Sequence, residues 1–148
     1  MGNSHEQLMR LAIEESIKAR EEGNPGYGAV LAAEGKAIAH GRALMTTTSD
    51  VTAHAETMAL RTASTASGRT DFANCTLYTT SDPCPMCLAA MLVSGVSTLV
   101  IGADRSPSDR RWGGYTPEKL IDLISFADRL EVVRGVLSSE CADIRDRP

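Results

Sequence analysis

The sequence predicts an α/β fold, a mixed sheet with helices packed on both faces, and three observations carry that expectation. The chain has 148 residues, enough for one well-buried core and too few for two ordinary domains, so a single domain over 1–148 is expected. Strand-length apolar runs and stretches of helical period follow one another in the order α-β-β-α-β-α-β, with more α and β behind. Clusters of Gly, Pro and Asn separate them, and no repeat or low-complexity linker interrupts the series.

Residues 4–22 have a helical pattern. Met9, Ala12, Ile13, Ser16 and Ile17 share one face, while Glu6, Arg10, Glu14, Glu21 and Glu22 are placed toward solvent. Gly23-Asn24-Pro25-Gly26 ends this helix. Strands at 27–33 and 37–41 flank Glu34-Gly35-Lys36, a hairpin turn with Gly where positive φ is needed. The polar, Thr-rich stretch 42–50 reads as a loop. Thr52 is then placed as the cap of a helix to about Ser67, with Ala55, Met58, Ala59 and Thr62 facing inward.

A strand at 75–80 leads into Ser81-Asp82-Pro83, read as a helix start because Pro suits the first turn. That helix runs through Cys84, Cys87, Leu88, Met91 and Leu92 and stops near Gly95. A strand at 96–101 and a mixed-charge loop at 105–115 follow. Helix 117–128, strand 130–133 and terminal helix 138–144 complete the chain.

Composition limits the function classes. With 43% hydrophobic and 23% charged residues the chain is globular rather than disordered. A net charge of −4 weighs against a nucleic-acid partner, since binding to phosphate backbones is driven by cationic surfaces that release counterions. No apolar run approaches the roughly 20 residues that span a bilayer, so no membrane role is expected. The first residues lack a secretory apolar stretch, which makes a cytoplasmic location the expectation. There, four Cys imply free thiols or metal ligands rather than disulfides.

Two segments carry chemistry, His54-Ala-Glu56 and Pro83-Cys84-Pro-Met-Cys87. A catalytic zinc takes three protein ligands and leaves a fourth position for water, and His54, Cys84 and Cys87 supply that number. Two Cys three positions apart at a helix start can reach one ion, with the thiolate favoured by the helix N-terminus. Glu56, two residues beyond a ligand, can approach the bound water without binding the metal. Zinc brings the pKa of water to about 7, and the resulting hydroxide can attack a ring carbon bearing an amino group. Glu56 would take the water proton, protonate the neighbouring ring nitrogen and serve the departing ammonia.

Other readings compete for the same residues. Cys-Pro-Met-Cys after a strand also suits a glutaredoxin-like thiol–disulfide enzyme, which would have no use for His54-Ala-Glu56. A structural zinc would want a fourth ligand and leaves Glu56 unexplained. Cys75 and Cys141 read as packing residues. Trp112 and Tyr115 either close over a substrate or cover the core, and Asp104 and Asp109 read either a substrate amino group or plain solvent.

His-x-Glu followed by Pro-Cys-x-x-Cys is a signature of zinc deaminases. From Gly26-Tyr-Gly-Ala-Val-Leu31 to Val96-Ser-Thr-Leu-Val-Ile-Gly-Ala103, about half of the chain, the sequence resembles the cytidine deaminase-like superfamily. It is most similar to the branch of guanine deaminase, fungal-type cytosine deaminase and bacterial tRNA adenosine deaminase. The resemblance implies a three-layer α/β/α fold around a five-stranded mixed sheet, and Zn2+ bound where two central helices begin. It implies a homodimer or higher homo-oligomer, and it gives Glu56, His54, Cys84 and Cys87 the roles already assigned. It also implies that the backbone N–H of Cys84 supports the oxygen formed at the reacting carbon.

For substrate, Tyr27 and Pro85-Met86 resemble guanine deaminases more than tRNA enzymes. Ala43 stands where many members have an Asn that reads the base edge, and Asp82 where Glu or Ser is usual. Tyr27, Ala55, Asp82 and Trp112 are the candidate substrate contacts. The expected activity is hydrolytic deamination of a small aminated heterocycle in nucleobase metabolism: guanine, cytosine, or an analogue such as an s-triazine or azapyrimidine. The alternative is a tRNA adenosine deaminase.

Overall fold

Residues 2–148, described by a computed structural model, form a five-stranded mixed sheet in the order β2-β1-β3-β4-β5. The strands are β1 (Gly28–Ala33), β2 (Lys36–Arg42), β3 (Cys75–Ser81), β4 (Thr98–Ala103) and β5 (Glu131–Val133). The helices are α1 (His5–Glu21), α2 (Met45–Thr48), α3 (Ala55–Ser67), α4 (Pro85–Val93), α5 (Pro117–Leu123) and α6 (Ser138–Arg145). β1 pairs antiparallel with β2 and β3, whereas β3, β4 and β5 run parallel.

Strand alternation sorts side chains into two cores. Leu31, Leu77, Leu99 and Ile101 pack with Leu60, Leu88 and Met91 on the face of α3 and α4. Val30, Tyr78 and Val100 pack with Met9, Ala12, Ile13, Cys141 and Ile144 on the face of α1 and α6. Both faces of the central strands are covered, which is why β1, β3 and β4 are almost continuously buried. Cys75 and Cys141 are buried free thiols in these cores, as expected of packing residues.

Two glycines permit the close layers. A Cβ at Gly28 would collide with the Ala12 carbonyl of α1, and one at Gly41 with the Ala55 carbonyl and the Ala59 amide of α3. In the β1–β2 hairpin Ala33 pairs with Lys36, leaving Glu34 (φ 52°) and Gly35 (φ 72°) as the turn. Positive φ at both central residues is the type I′ pattern that matches strand twist.

Several boundaries differ from the sequence reading. His54, not Thr52, occupies the N-cap of α3; Thr52 belongs to the preceding turn, its amide and hydroxyl both donating to Asp50 Oδ1. The buried face of α3 is Ala55, Glu56, Ala59, Leu60 and Ala63, leaving Thr62 exposed. Likewise β3 extends to Ser81, and Pro85 rather than Pro83 takes the first position of α4, so Cys84 becomes its N-cap. The loop 42–50 contains the one-turn α2, and α5 stops at Leu123, five residues before its expected end.

Candidate active site

β3 leads directly into α4, and the first turns of α3 and α4 meet beyond the carboxyl end of β3. Open α/β sheets place their ligand crevice outside the carboxyl ends of the strands. His54 and Cys84 are the N-caps of the two helices, both in extended backbone conformation, and Cys87 lies three positions into α4.

These three side chains converge. His54 Nδ1 lies 3.6 Å from Cys84 Sγ, and Cys84 Sγ lies 3.6 Å from Cys87 Sγ. Bonds of about 2.3 Å to sulfur and 2.0–2.1 Å to nitrogen at tetrahedral angles would set S···S near ~3.8 Å and S···N near ~3.6 Å. The donor atoms all lie within 4.8 Å of one another, and the set fits a zinc ion. Two sulfurs and one nitrogen also suit its borderline-soft character.

Electrostatics favour the anion at Cys84. Its thiol is pulled down to about 4, first by the hydrogen bond from Cys87 and then also by His54. The same Cys84–Cys87 bond, together with burial, pushes Cys87 up. His54 is raised by its contact with Cys84.

Glu56, in the first turn of α3, is 5% exposed. Burial raises its carboxyl above the usual range, against the opposing effect of bonds from Cys87 and Thr79. Thr79 Oγ1 donates to Glu56 Oε1 at 2.7 Å and also lies 3.1 Å from the Ser81 carbonyl. Thr79 was not singled out from the sequence. The available signal was its parity with Cys75 and Leu77, which turns its hydroxyl toward the face that α3 covers.

A cavity of about 210 Å3 opens onto this cluster. Tyr27, Ala55, Asp82 and Trp112 line it, as do His54, Glu56, Cys84 and Ala43. Asp82 has both oxygens engaged, one by the Arg105 backbone N–H (2.8 Å) and one by Arg134 Nη2 (2.7 Å), which makes it a strut of the wall. Arg134 also pairs with Asp104 and Glu118. Asp109 is on the cavity wall, its two oxygens held by Arg111 at 2.8 and 2.7 Å, whereas the side chain of Asp104 is 84% exposed. Tyr115 packs against the α3–α4 core and donates its hydroxyl to the Pro83 carbonyl at 2.8 Å. The sequence reading did not single out Met45, Arg105 or Arg111 as wall residues; the fold brings them in from two loops.

Residues 2–103 match the family model described as cytidine and deoxycytidylate deaminase zinc-binding region. The tRNA-specific adenosine deaminase of Bacillus subtilis is 39% identical over 137 residues, 92% of this chain and 83% of that protein. A chloroplastic tRNA(adenine(34)) deaminase of Arabidopsis thaliana is also 39% identical, over 93% of this chain, but the chain spans only 12% of its length. The guanine deaminase of Bacillus subtilis is 39% identical over 89 residues, 60% of this chain and 57% of that protein. Among solved structures, one from a study of A-to-I editing by tRNA:A34 deaminases has a TM-score of 0.79 at 31% identity. It covers 93% of this chain and 98% of that one. A guanine deaminase from Nitrosomonas europaea has a TM-score of 0.78 at 26% identity, covering 97% of this chain and 84% of that one. The chain belongs to the cytidine and deoxycytidylate deaminase zinc-binding family.

Proposed function

We propose that residues 1–148 form one catalytic domain that hydrolyses an exocyclic amino group from a nucleobase ring, with His54, Cys84 and Cys87 as zinc ligands and Glu56 as proton carrier. The supporting observation is the placement of the Glu56 carboxyl, buried beside a three-donor set of tetrahedral spacing. A zinc ion in that set supplies a nucleophile at neutral pH by lowering the pKa of water to about 7.

Glu56 takes the proton of the attacking water and passes it to the ring nitrogen next to the reacting carbon. It then carries a proton to the departing amine, so ring C–NH2 and water become ring C=O and ammonia. Thr79 suits a carboxyl that gains and loses a proton in each cycle. Its hydroxyl donates to the Glu56 carboxylate, or donates to the Ser81 carbonyl and accepts from the protonated form. Family membership and the adjoining His54 and Glu56 leave the thiol–disulfide reading without support.

For substrate we favour adenosine held in tRNA, because tRNA-specific adenosine deaminases align along more than nine-tenths of the chain at 38–39% identity, whereas the guanine deaminase of 39% identity aligns along 60% and the guanine deaminase that covers 97% is only 26% identical. A cavity of about 210 Å3 suits one flipped-out ring, since drug-sized ligands occupy roughly 300–1,000 Å3. A free aminated heterocycle is the second reading, favoured by the net charge of −4, and Ala43 on the cavity wall weighs within it toward a ring other than guanine or cytosine.

A homo-oligomer is part of the proposal. α4 has no charged residue and exposes Met86, Ala89 and Val93, a face suited to a second copy of the chain. So is a cytoplasmic location, consistent with four free cysteines; among the described residues no helix is long and apolar enough to cross a membrane.

Ammonia release should be measured over a tRNA anticodon stem–loop, adenosine, adenine, guanine and cytosine, with zinc content determined in parallel. The expected result is one zinc per chain and turnover of the stem–loop above all free forms. Turnover confined to free bases would move the assignment to the second reading. A zinc-loaded protein inactive on every ring would remove the deaminase assignment.

A further inference from the structure

β4 ends at Ala103, and the chain then arches between two cavities. One is the cavity over His54, Cys84 and Glu56; the other is larger, about 830 Å3, and open. Asp82, Arg105, Ser106 and Asp109 line both, so they form the boundary between the two.

Arg105 is held there from several sides. Its backbone N–H donates to Asp82, its Nη2 donates to the Tyr115 carbonyl at 2.9 Å, and its guanidinium carbon lies 5.8 Å from the centroid of the Tyr115 ring. The remaining terminal nitrogen, Nη1, is buried and has no hydrogen-bond partner. A charged donor buried without an acceptor loses its hydration with nothing in return, which makes such a group uncommon unless something fills the place.

Nearby acids do not neutralise it. Asp109 gives both oxygens to Arg111, while Arg134 binds Asp82, Asp104 and Glu118. Among the described residues no carboxylate comes within 4.0 Å of the Arg105 guanidinium, or of Arg110 on the wall of the second cavity. The arrangement is a fixed guanidinium without a direct ion pair, with Asp109 near enough to feel its charge but bonded to Arg111, where the non-reacting part of a nucleotide would leave the first cavity. Guanidinium geometry matches phosphate oxygens.

We propose that Arg105 seats a phosphate oxygen of the substrate, and that the second cavity takes the sugar–phosphate flank of the reacting nucleotide. This rests on the deaminase reading and adds to it a residue that separates phosphate-bearing substrates from bare rings.

The test compares the wild type with Arg105→Gln. Steady-state ammonia release is measured on the adenine ring as free base, nucleoside, 5′-monophosphate and anticodon stem–loop. In the variant KM should rise about tenfold for phosphate-bearing forms with a smaller change in kcat, and the preference for those forms over base and nucleoside should fall by the same factor. An effect on both phosphate arms assigns the oxygen to the nucleotide's own phosphate, and an effect on the stem–loop alone assigns it to a neighbouring one. An equal loss on all four forms, no loss on any, or a wild type without preference for phosphate would overturn the proposal.

A binding arm separates this failure from failure of the deaminase reading. Zinc-loaded Glu56→Ala protein, with and without Arg105→Gln, is titrated calorimetrically with the stem–loop. A tenfold loss of affinity supports the seat even if no ring is turned over. Equal affinities overturn it even if turnover is observed.

Discussion

Thr79 Oγ1 lies 2.7 Å from Glu56 Oε1, joining the middle of the sheet to the first turn of α3. This bond orients a carboxyl that also meets Cys87 and lines the cavity beside His54. Thr79→Val keeps the shape and removes the hydroxyl. We expect kcat to fall on the order of tenfold, the worth of one hydrogen bond to a charged group, with little change in KM. Glu56→Gln should lose about 10²–10⁴-fold, because proton transfer itself is removed. Metal analysis should show zinc retained in both proteins. Full turnover by Thr79→Val would show that the bond is structural only.

The three-donor set links metal to fold. Cys87 has no exposed surface and packs with Leu88 and Met91, whereas Cys84 is only partly buried. Removing zinc with a chelator should therefore lower Tm, and Cys87→Ala should lower it further than Cys84→Ala, adding a core void to the lost ligation. Thermal unfolding with metal analysis decides this. Equal Tm for holo and chelated protein would separate the metal from stability.

Much of this arrangement was legible in the sequence, for identifiable reasons. Short-range rules placed α1, the β1–β2 hairpin and β3 within a few residues, because alternation and breakers act locally. The convergence of His54, Glu56, Cys84 and Cys87 was legible because each lies at or within three residues of a helix cap, so helix starts alone bring them together. Thr79, Asp82 and Arg134 were harder to read. Asp82 lines the cavity, and its partners Arg105 and Arg134 were not legible because they lie 23 and 52 positions away and only the parallel pairing of β3, β4 and β5 brings them near. The helix starts lie two residues later than expected because Thr52 bonds Asp50 in the turn before α3, and Pro83 belongs to the segment joining β3 to α4, where its carbonyl accepts from Tyr115.

Arg134 holds the segment before Cys84 in place. Its guanidinium lies 2.7 Å from Asp82 and 3.0 Å from Asp104, and it also bonds Glu118. Arg134→Met leaves Asp82, whose side chain is 11% exposed, without its counter-charge. Because Arg134 is itself about a third exposed, screening limits the cost to about 1–2 kcal/mol. Denaturant unfolding should show that loss, and the Arg105 amide bonded to Asp82 should exchange faster with solvent. Unchanged exchange at Arg105 would detach the ion pair from the loop.

Gly41 and Gly68 make a controlled contrast. A Cβ at Gly41 meets backbone atoms of Ala55 and Ala59, so the helix carrying Glu56 must move. Gly68 has φ of +72° and open space around it. Gly68→Ala should cost about 1 kcal/mol through backbone conformation alone, and Gly41→Ala about 3 kcal/mol with loss of turnover in what remains folded. Similar costs for both would mean that α3 does not rest on β2.

Ala43 tests the substrate reading. It is fully buried, its N–H donates to the Tyr27 carbonyl at 3.1 Å, and it lines the cavity over His54, Glu56 and Cys84. Ala43→Asn places an amide donor and acceptor in that wall. A ring whose edge matches the amide gains a hydrogen bond, whereas a ring that cannot match it leaves a desolvated amide at a cost of about 1–3 kcal/mol. The sign of the change in kcat/KM therefore reports on the ring. With adenosine in tRNA as substrate we expect a gain of about tenfold on the stem–loop, measured as ammonia release. A fall of similar size would mean that the cavity is shaped for a ring without that edge, and the free, differently substituted heterocycle would become the better assignment.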